Sequence, residues 1–353
     1  MDRQYFESLE SCWDRLAQSK KPIYIYGMGN GSEKILHLFK HFGISCEGIF
    51  ASDDFVRGQS FCGYKVQRFS DIMSDSSDKL IVLGFGSSLD EIMARVESIE
   101  QRFELIAPDT SVTDNGFFDK QRFLDLYTKA ERAYSLLEDE LSRKTFECIT
   151  AYKITGNTEY LRKCFCDESE SQALLSLTDS EIYFDLGAYR GDTVDSFVAH
   201  TNGRYNRIAA VEPNARNFRK CEQNTAKYPN VTLYNAAAWS ECTTLTFSSS
   251  AGRQAKVSDK GTPVQALTLD SIAQSGCTYV KYDVEGADYE ALLGSVRTIR
   301  KFSPKICAAL YHKPYDYFLL PLVLNRINAD YKLYLRQSRY YPCWETNLYC
   351  IPY

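Results

Sequence analysis

The sequence is short of histidine, with 4 in 353 residues, and has no excess of basic side chains. Its 41 Lys+Arg stand against 46 Asp+Glu, a formal net charge of −5. Phosphate backbones need a basic surface, so this balance argues against nucleic acid as a main partner. No apolar run approaches the ~18 residues of a membrane span. The longest, 317–324, has eight residues and contains Pro321. The first residues lack the apolar stretch of a secretory leader. The 12 cysteines form no C-x-x-C pair, and the closest two, Cys164 and Cys166, are one residue apart. Zinc ligands usually pair across two to four residues. These absences predict a cytoplasmic, reducing setting with free thiols, no metal and no membrane span.

What is present is ordinary globular material: 44% hydrophobic and 25% charged. The length suits about two domains at roughly 150 residues each. Short apolar runs alternate with helical patterns in two zones. The first has strand-like runs at 23–26, 44–50, 80–83 and 103–106, with helices over 33–42 and 89–100. That alternation predicts a small parallel α/β domain over 1–115. Residues 116–177 lack proline and are rich in Leu, Glu, Lys, Arg and Tyr. They read as a helical connector, with one or two helices over 117–152 and a break at Gly156.

The third zone, 178–353, is α/β again. Strands are expected at 181–186, 207–211, 231–235, 278–282 and 305–310, with helices over 193–199 and from Ala215. The last two strand-like runs, 331–336 and 346–351, have nine residues between them. A parallel crossover needs a dozen or more, so this pair should be antiparallel. The fold class is therefore α/β with two Rossmann-like units. The second is a mostly parallel sheet ending in an antiparallel hairpin, the architecture of class I methyltransferases.

Chemistry concentrates at strand ends of the third zone. The run Asp185-Leu186-Gly187-Ala188-Tyr189-Arg190-Gly191-Asp192-Thr193 places an acid at a strand end before a glycine-bearing turn into a helix. A pyrophosphate on that turn would be repelled by Asp185, whereas a cationic sulfonium ligand would not. Glu212 ends the next strand 27 positions later, where a carboxylate can accept both ribose hydroxyls. Further on, Asp283, Glu285 and Asp288 put three acids within six residues after a strand.

On these residues the chain, from about Glu181 onward, resembles the FkbM family of S-adenosylmethionine-dependent methyltransferases. Matching pieces are the run from Asp185, Val-Glu-Pro-Asn from Val211, Leu-Thr-Leu-Asp from Leu267, and Lys-Tyr-Asp-Val-Glu-Gly-Ala-Asp from Lys281. Tyr311-His312-Lys313-Pro314 and the segment 331–336 also fit. The chain departs from the family's pattern at Tyr189-Arg190, at Asp288 and at Gln337.

The resemblance implies S-adenosyl-L-methionine as cofactor. It implies that Asp185, Gly187, Ala188, Gly191, Glu212, Asn214, Asn235 and Ala236 bind it. Asp283 and His312 become the candidate catalytic bases, and Glu285 and Arg336 the candidate acceptor-binding residues. The expected acceptor is a small molecule, a sugar or nucleotide sugar among the candidates, methylated on a hydroxyl. Assembly into a homo-oligomer stays open.

The first zone carries Gly27-Met28-Gly29-Asn30-Gly31-Ser32, with Asp53 lying 22 residues past Gly31. This is a dinucleotide-type fingerprint whose third glycine is replaced by serine. It leaves two alternatives: a nicotinamide-dependent oxidoreductase, or a non-catalytic nucleotide-sugar-binding or scaffold unit.

Overall fold

The computed structural model describes residues 1–247 and 261–353. The loop expected around 247–263 to shape the acceptor pocket falls largely on 248–260, outside the described residues.

Buried apolar strands and half-buried helices alternate into two main sheets. In the first, strand order is Ser60–Phe61, Tyr64–Arg68, Gly48–Ala51, Ile23–Tyr26, Leu80–Leu83 and Glu104–Ile106. Neighbours are parallel except Ser60–Phe61, which pairs antiparallel with Tyr64–Arg68. The strand expected from residue 44 starts only at Gly48. Gly43 adopts φ +67 to end the preceding helix, and the Ile44 N–H still bonds back to the Phe39 carbonyl. Those residues complete a helix stop rather than extend a strand.

The second sheet runs Tyr331–Gln337, Thr346–Pro352, Lys305–Ala309, Tyr279–Tyr282, Ile182–Leu186, Arg207–Val211 and Val231–Tyr234. Only Thr346–Pro352 is antiparallel to its neighbours, and it pairs with Tyr331–Gln337 as the short connection requires. Ile182–Leu186 lies centrally, between strands that follow it at two different points of the chain. Crevices at such switch points, beyond the carboxyl ends of the strands, are where open α/β sheets bind ligands. A small third sheet joins Ala237–Ala238, Thr262–Leu267 and Thr243–Phe247.

The connector is more divided than its composition suggests. Helices Lys120–Asp125, Tyr127–Ser135 and Glu140–Thr155 are followed by Glu159–Arg162 and Glu168–Leu175. Asp139 caps the longest by accepting from the Ser142 N–H, and Gly156, at φ +66, ends it. These are local stop and start signals that a leucine-rich pattern alone does not reveal.

One apolar core continues through all three segments, from Tyr26 and Phe50 through Tyr152 to Phe184 and Val280. A buried pair fixes the joint: Lys153 Nζ lies 2.7 Å from Asp109 Oδ2, with both side chains almost fully buried. Removing one partner of such a pair typically costs about 3–5 kcal/mol, because the other is left charged and alone. Among the described residues, no helix is long and apolar enough to cross a membrane.

Candidate active site

A cleft of about 480 Å³ opens over the carboxyl ends of the second sheet. Period-2 geometry explains its acids. Asp185 and Tyr183 share one face of their strand, and Asp283 continues the face of Lys281 and Tyr279 on the next. Each strand thus delivers one carboxylate to the same end of the sheet.

Asp185 is fully buried. Its Oδ2 accepts a hydrogen bond from the Thr193 hydroxyl, while Oδ1 has no hydrogen-bond partner among the described residues. Burial pushes its pKa up to about 6, against the pull of Lys281 and Thr193. The turn that follows needs glycine. Gly187 has φ +102, and a Cβ there would lie 1.9 Å from the Asp283 carbonyl oxygen. That close approach locks the two strand ends together.

Glu212 closes the neighbouring strand end. Its two oxygens accept from the Tyr189 N–H at 3.0 Å and the Asn214 N–H at 2.8 Å. Burial nevertheless raises its pKa to about 7. Each oxygen keeps a lone pair for a further donor, as a ribose diol would supply.

Asp283 sits in a network of charges. Lys281 Nζ donates to Oδ2 at 2.8 Å, and Tyr311 Oη donates to Oδ1 at 3.3 Å. His312 Nε2 stands 3.2 Å from Oδ1. The imidazole's other nitrogen, Nδ1, is 2.8 Å from Asp288 Oδ2. Burial alone would raise the Asp283 carboxyl, but Lys281 and His312 hold it well below the usual range. Burial likewise opposes charge on His312, yet Asp288 and Asp283 raise its pKa well above the ordinary value. An imidazolium has no lone pair with which to take a proton. His312 is also buried behind Asp283 and does not line the cleft. Of the two expected catalytic residues, Asp283 is the one that faces the cleft.

The other expected residues divide. Gly187, Glu212, Asn214, Asp283 and Glu285 line the cleft. Asn214 also caps helix Ala215–Thr225, accepting from Arg216 and Asn217 N–H groups. Ala188 and Gly191 lie behind the lining, Gly191 at φ +88, where a Cβ would sit 2.9 Å from Thr225. Asn235 turns its amide onto the Glu212 and Pro213 carbonyls, stapling the loop rather than facing the cleft. Ala236 is buried beside the lining residues Ala237, Ala238 and Trp239.

Arg336 corrects the expectation of an acceptor contact. Its guanidinium is nearly buried and binds Asp139 Oδ2 at 2.5 Å and Ser142 Oγ at 2.8 Å. It joins the sheet to the connector, away from the cleft. Residue alternation along the strand accounts for this, since Arg336 meets the helix cap at Asp139.

Four contributors were not foreseen. Lys281 could have been found, because it lies two residues before Asp283 on the same strand face. Glu345, Thr113 and Asp114 could not, because they reach the cleft from distant segments. Ser111 Oγ and Val112 N–H both donate to the His312 carbonyl, at 3.0 and 3.1 Å, so the first unit directly braces this site. Among the described residues, no group of three or more His, Cys, Asp or Glu is arranged to hold a metal ion.

A seven-stranded sheet with one reversed strand and acids at its central strand ends defines a methyltransferase-type unit. The family model of the methyltransferase FkbM domain matches residues 185–332. The whole chain is similar in structure to the methyltransferase FkbM from Methylobacillus flagellatus KT. The TM-score is 0.72 at 18% identity, covering 99% of this chain and 94% of that one. This likeness shows a shared fold. Looser similarities include an rRNA methylase from Streptococcus thermophilus, with TM-score 0.36, 13% identity, and 52% and 93% of the two chains covered. Another is Aeropyrum pernix fibrillarin in complex with S-adenosyl-L-methionine, with TM-score 0.34, 14% identity, and 51% and 74% covered. No curated protein matches the sequence significantly.

Proposed function

We propose that the protein transfers a methyl group from S-adenosyl-L-methionine to a hydroxyl of a saccharide or related small metabolite. The observation that carries this reading is the set of strand-end carboxylates at one end of the sheet: Glu212, with two available lone pairs, and Asp283 line the cleft, and Asp185, with one buried oxygen left without a hydrogen-bond partner, lies directly behind the lining residues Gly187 and Thr193. Such a donor set suits an amino and sulfonium group and a ribose diol, and it disfavours the pyrophosphate of a nicotinamide cofactor. Asp185 and the Gly187 turn would hold the methionine end, and Glu212 and Asn214 the ribose. When bound, the cofactor supplies a methyl carbon already activated by a sulfonium.

The remaining task is alignment, which is mainly a proximity effect. Asp283 would accept the hydrogen bond of the acceptor hydroxyl and aim its oxygen at the activated carbon. Because Lys281 and His312 favour the ionised carboxylate, its part is orientation, and the hydroxyl proton passes to solvent as the new bond forms. Lys281, Tyr311 and His312 fix the carboxylate's orientation. His312 is a positioning residue in this scheme, with Asp288 holding its far nitrogen. Glu285, held at φ +51, contributes a second acceptor for substrate hydroxyls.

The test is equilibrium binding of S-adenosylmethionine and of NAD to the full chain, followed by labelled methyl transfer into a metabolite extract. Micromolar binding of the methyl donor, and a labelled methyl ether identified by mass spectrometry, are the expected results. Binding of NAD without the methyl donor would reverse the assignment toward an oxidoreductase.

A further inference from the structure

A second cavity, of about 540 Å³, meets the first at Asp192, Thr193, Asp283 and Glu345. Its floor is the sheet face itself, where Tyr183, Tyr279 and Tyr349 stand on separate strands around Cys307. Its walls are helices Glu168–Leu175 and Asp192–His200, and the hairpin loop at Tyr340 closes one end. The volume falls within the roughly 300–1,000 Å³ of small-molecule sites.

We propose that this cavity holds the body of the methyl acceptor, and that the acceptor is a polyhydroxylated ring, neutral or amine-bearing, without phosphate or carboxylate. The inference rests on the methyl-donor reading above and names the acceptor of that same site. Position supports it first. The two cavities join where Asp283 stands, so a molecule lying in the second presents one end to the carboxylate that faces the first. Glu345, at the same junction, is held at φ +78, a conformation that side chains other than glycine rarely adopt. Such strain persists only where surrounding structure over-determines it, and it clusters at ligand clamps. The loop carrying Glu345 is so determined: Tyr341 and Ser87 exchange backbone hydrogen bonds at 3.1 and 2.8 Å, anchoring it to the first unit.

Chemistry supports it second. Tyr183, Tyr279 and Phe197 stack on one another and Tyr349 is nearly buried, so the floor presents aromatic edges for C–H groups and phenol oxygens for polar ones rather than open ring faces. Asp167, Glu168, Asp192, Asp283 and Glu345 line the cavity as acids. The two lysine or arginine side chains that line it are already engaged, Lys281 by Asp283 and Arg339 by Asp90. With Asp283 balanced by Lys281, a phosphate or uronate would therefore meet four carboxylates outside ion pairs, Asp167, Glu168, Asp192 and Glu345, and no uncommitted lysine or arginine among the described lining residues. Like charges brought together this closely cost affinity, whereas hydroxyls and an amine find acceptors. A nucleotide sugar is accordingly disfavoured in this cavity.

The experiment is saturation-transfer NMR on the full chain, with and without S-adenosylhomocysteine. The probes are neutral methyl hexosides and deoxyhexosides, a methyl hexosaminide, hexose 6-phosphates and UDP-hexoses. At least one neutral or amine-bearing probe should bind ten times or more tighter than every anionic one. Ser196→Trp, which adds an indole to the cavity from an exposed helical position, should weaken that probe at least tenfold and leave S-adenosylhomocysteine affinity within twofold. Glu168→Lys should narrow the discrimination against the phosphates. Anionic probes binding as well as neutral ones, no neutral or amine-bearing probe binding, or an indifferent Ser196→Trp variant would each overturn the proposal. Sugar binding without S-adenosylhomocysteine binding would instead break the donor reading and leave the cavity assignment standing.

Discussion

The two Rossmann-like sheets begin alike and end differently. Each opens with a strand, a glycine turn and a helix. Each turn uses glycine to admit protein backbone: a Cβ on Gly31 would lie 2.4 Å from the Gly84 carbonyl oxygen, as one on Gly187 would strike Asp283. The difference lies in the acids. Glu212 stays at its strand end, buried and tied to the glycine turn through Tyr189. Asp53, at the equivalent distance in the first unit, turns outward and accepts from the Ser70 N–H, at the start of helix Phe69–Ser74. The first unit's strand ends instead present Tyr26 bonded to Ser52, both buried. Glycine turns therefore report the fold, and buried strand-end carboxylates report the site.

The sharpest way to break this contrast is to remove the acids in each unit. Asp185→Ala and Glu212→Ala should each weaken S-adenosylmethionine at least 100-fold by calorimetry, the scale of about 3 kcal/mol for a lost charge-assisted contact. Asp53→Ala should change it less than twofold. Equal losses in both units would show that the first sheet also handles the cofactor.

A smaller effect separates the two candidate bases. His312→Ala should lower kcat about 10- to 100-fold while cofactor affinity holds, because Asp283 loses its orientation. With His312 kept as an imidazolium by Asp288 and Asp283, wild-type kcat should not fall as pH drops through the normal histidine range near 6.5. A kcat that collapses there, and a His312→Ala variant without that inflection, would make His312 the base after all.

Legibility followed sequence distance. Strands such as Ile23–Tyr26, Leu80–Leu83 and Arg207–Val211 could be read to the residue, because each is a continuous apolar run between turn signals. The antiparallel hairpin followed from chain length alone. Asp185, Glu212 and Asp283 were visible because each ends its strand within a local motif. Arg336 misled, since motif position does not say which face a side chain takes or which helix cap awaits it. Glu345 and Thr113 were invisible. Their place depends on the Ser87–Tyr341 pairing and on the Ser111 and Val112 contacts to His312, which join segments more than 190 residues apart.

The subtlest expected effect is a pH dependence of cofactor binding that the first sheet has no means to produce. Burial holds Glu212 near 7 and Asp185 near 6, both above ordinary carboxylates. A raised carboxyl carries its proton in the folded protein at acid pH, which favours the unliganded fold below about 4.5 and is lost as pH rises through 7. A ribose diol and a cationic methionine end select the ionised form. Affinity for S-adenosylmethionine should therefore rise about tenfold from pH 6 to pH 8, and the increase in Tm on adding it should grow over the same range. Glu212→Gln removes the titrating group and should flatten most of that rise. A flat wild-type profile would mean that the strand-end acids are ionised before the ligand arrives, and their burial would then be a feature of the fold alone.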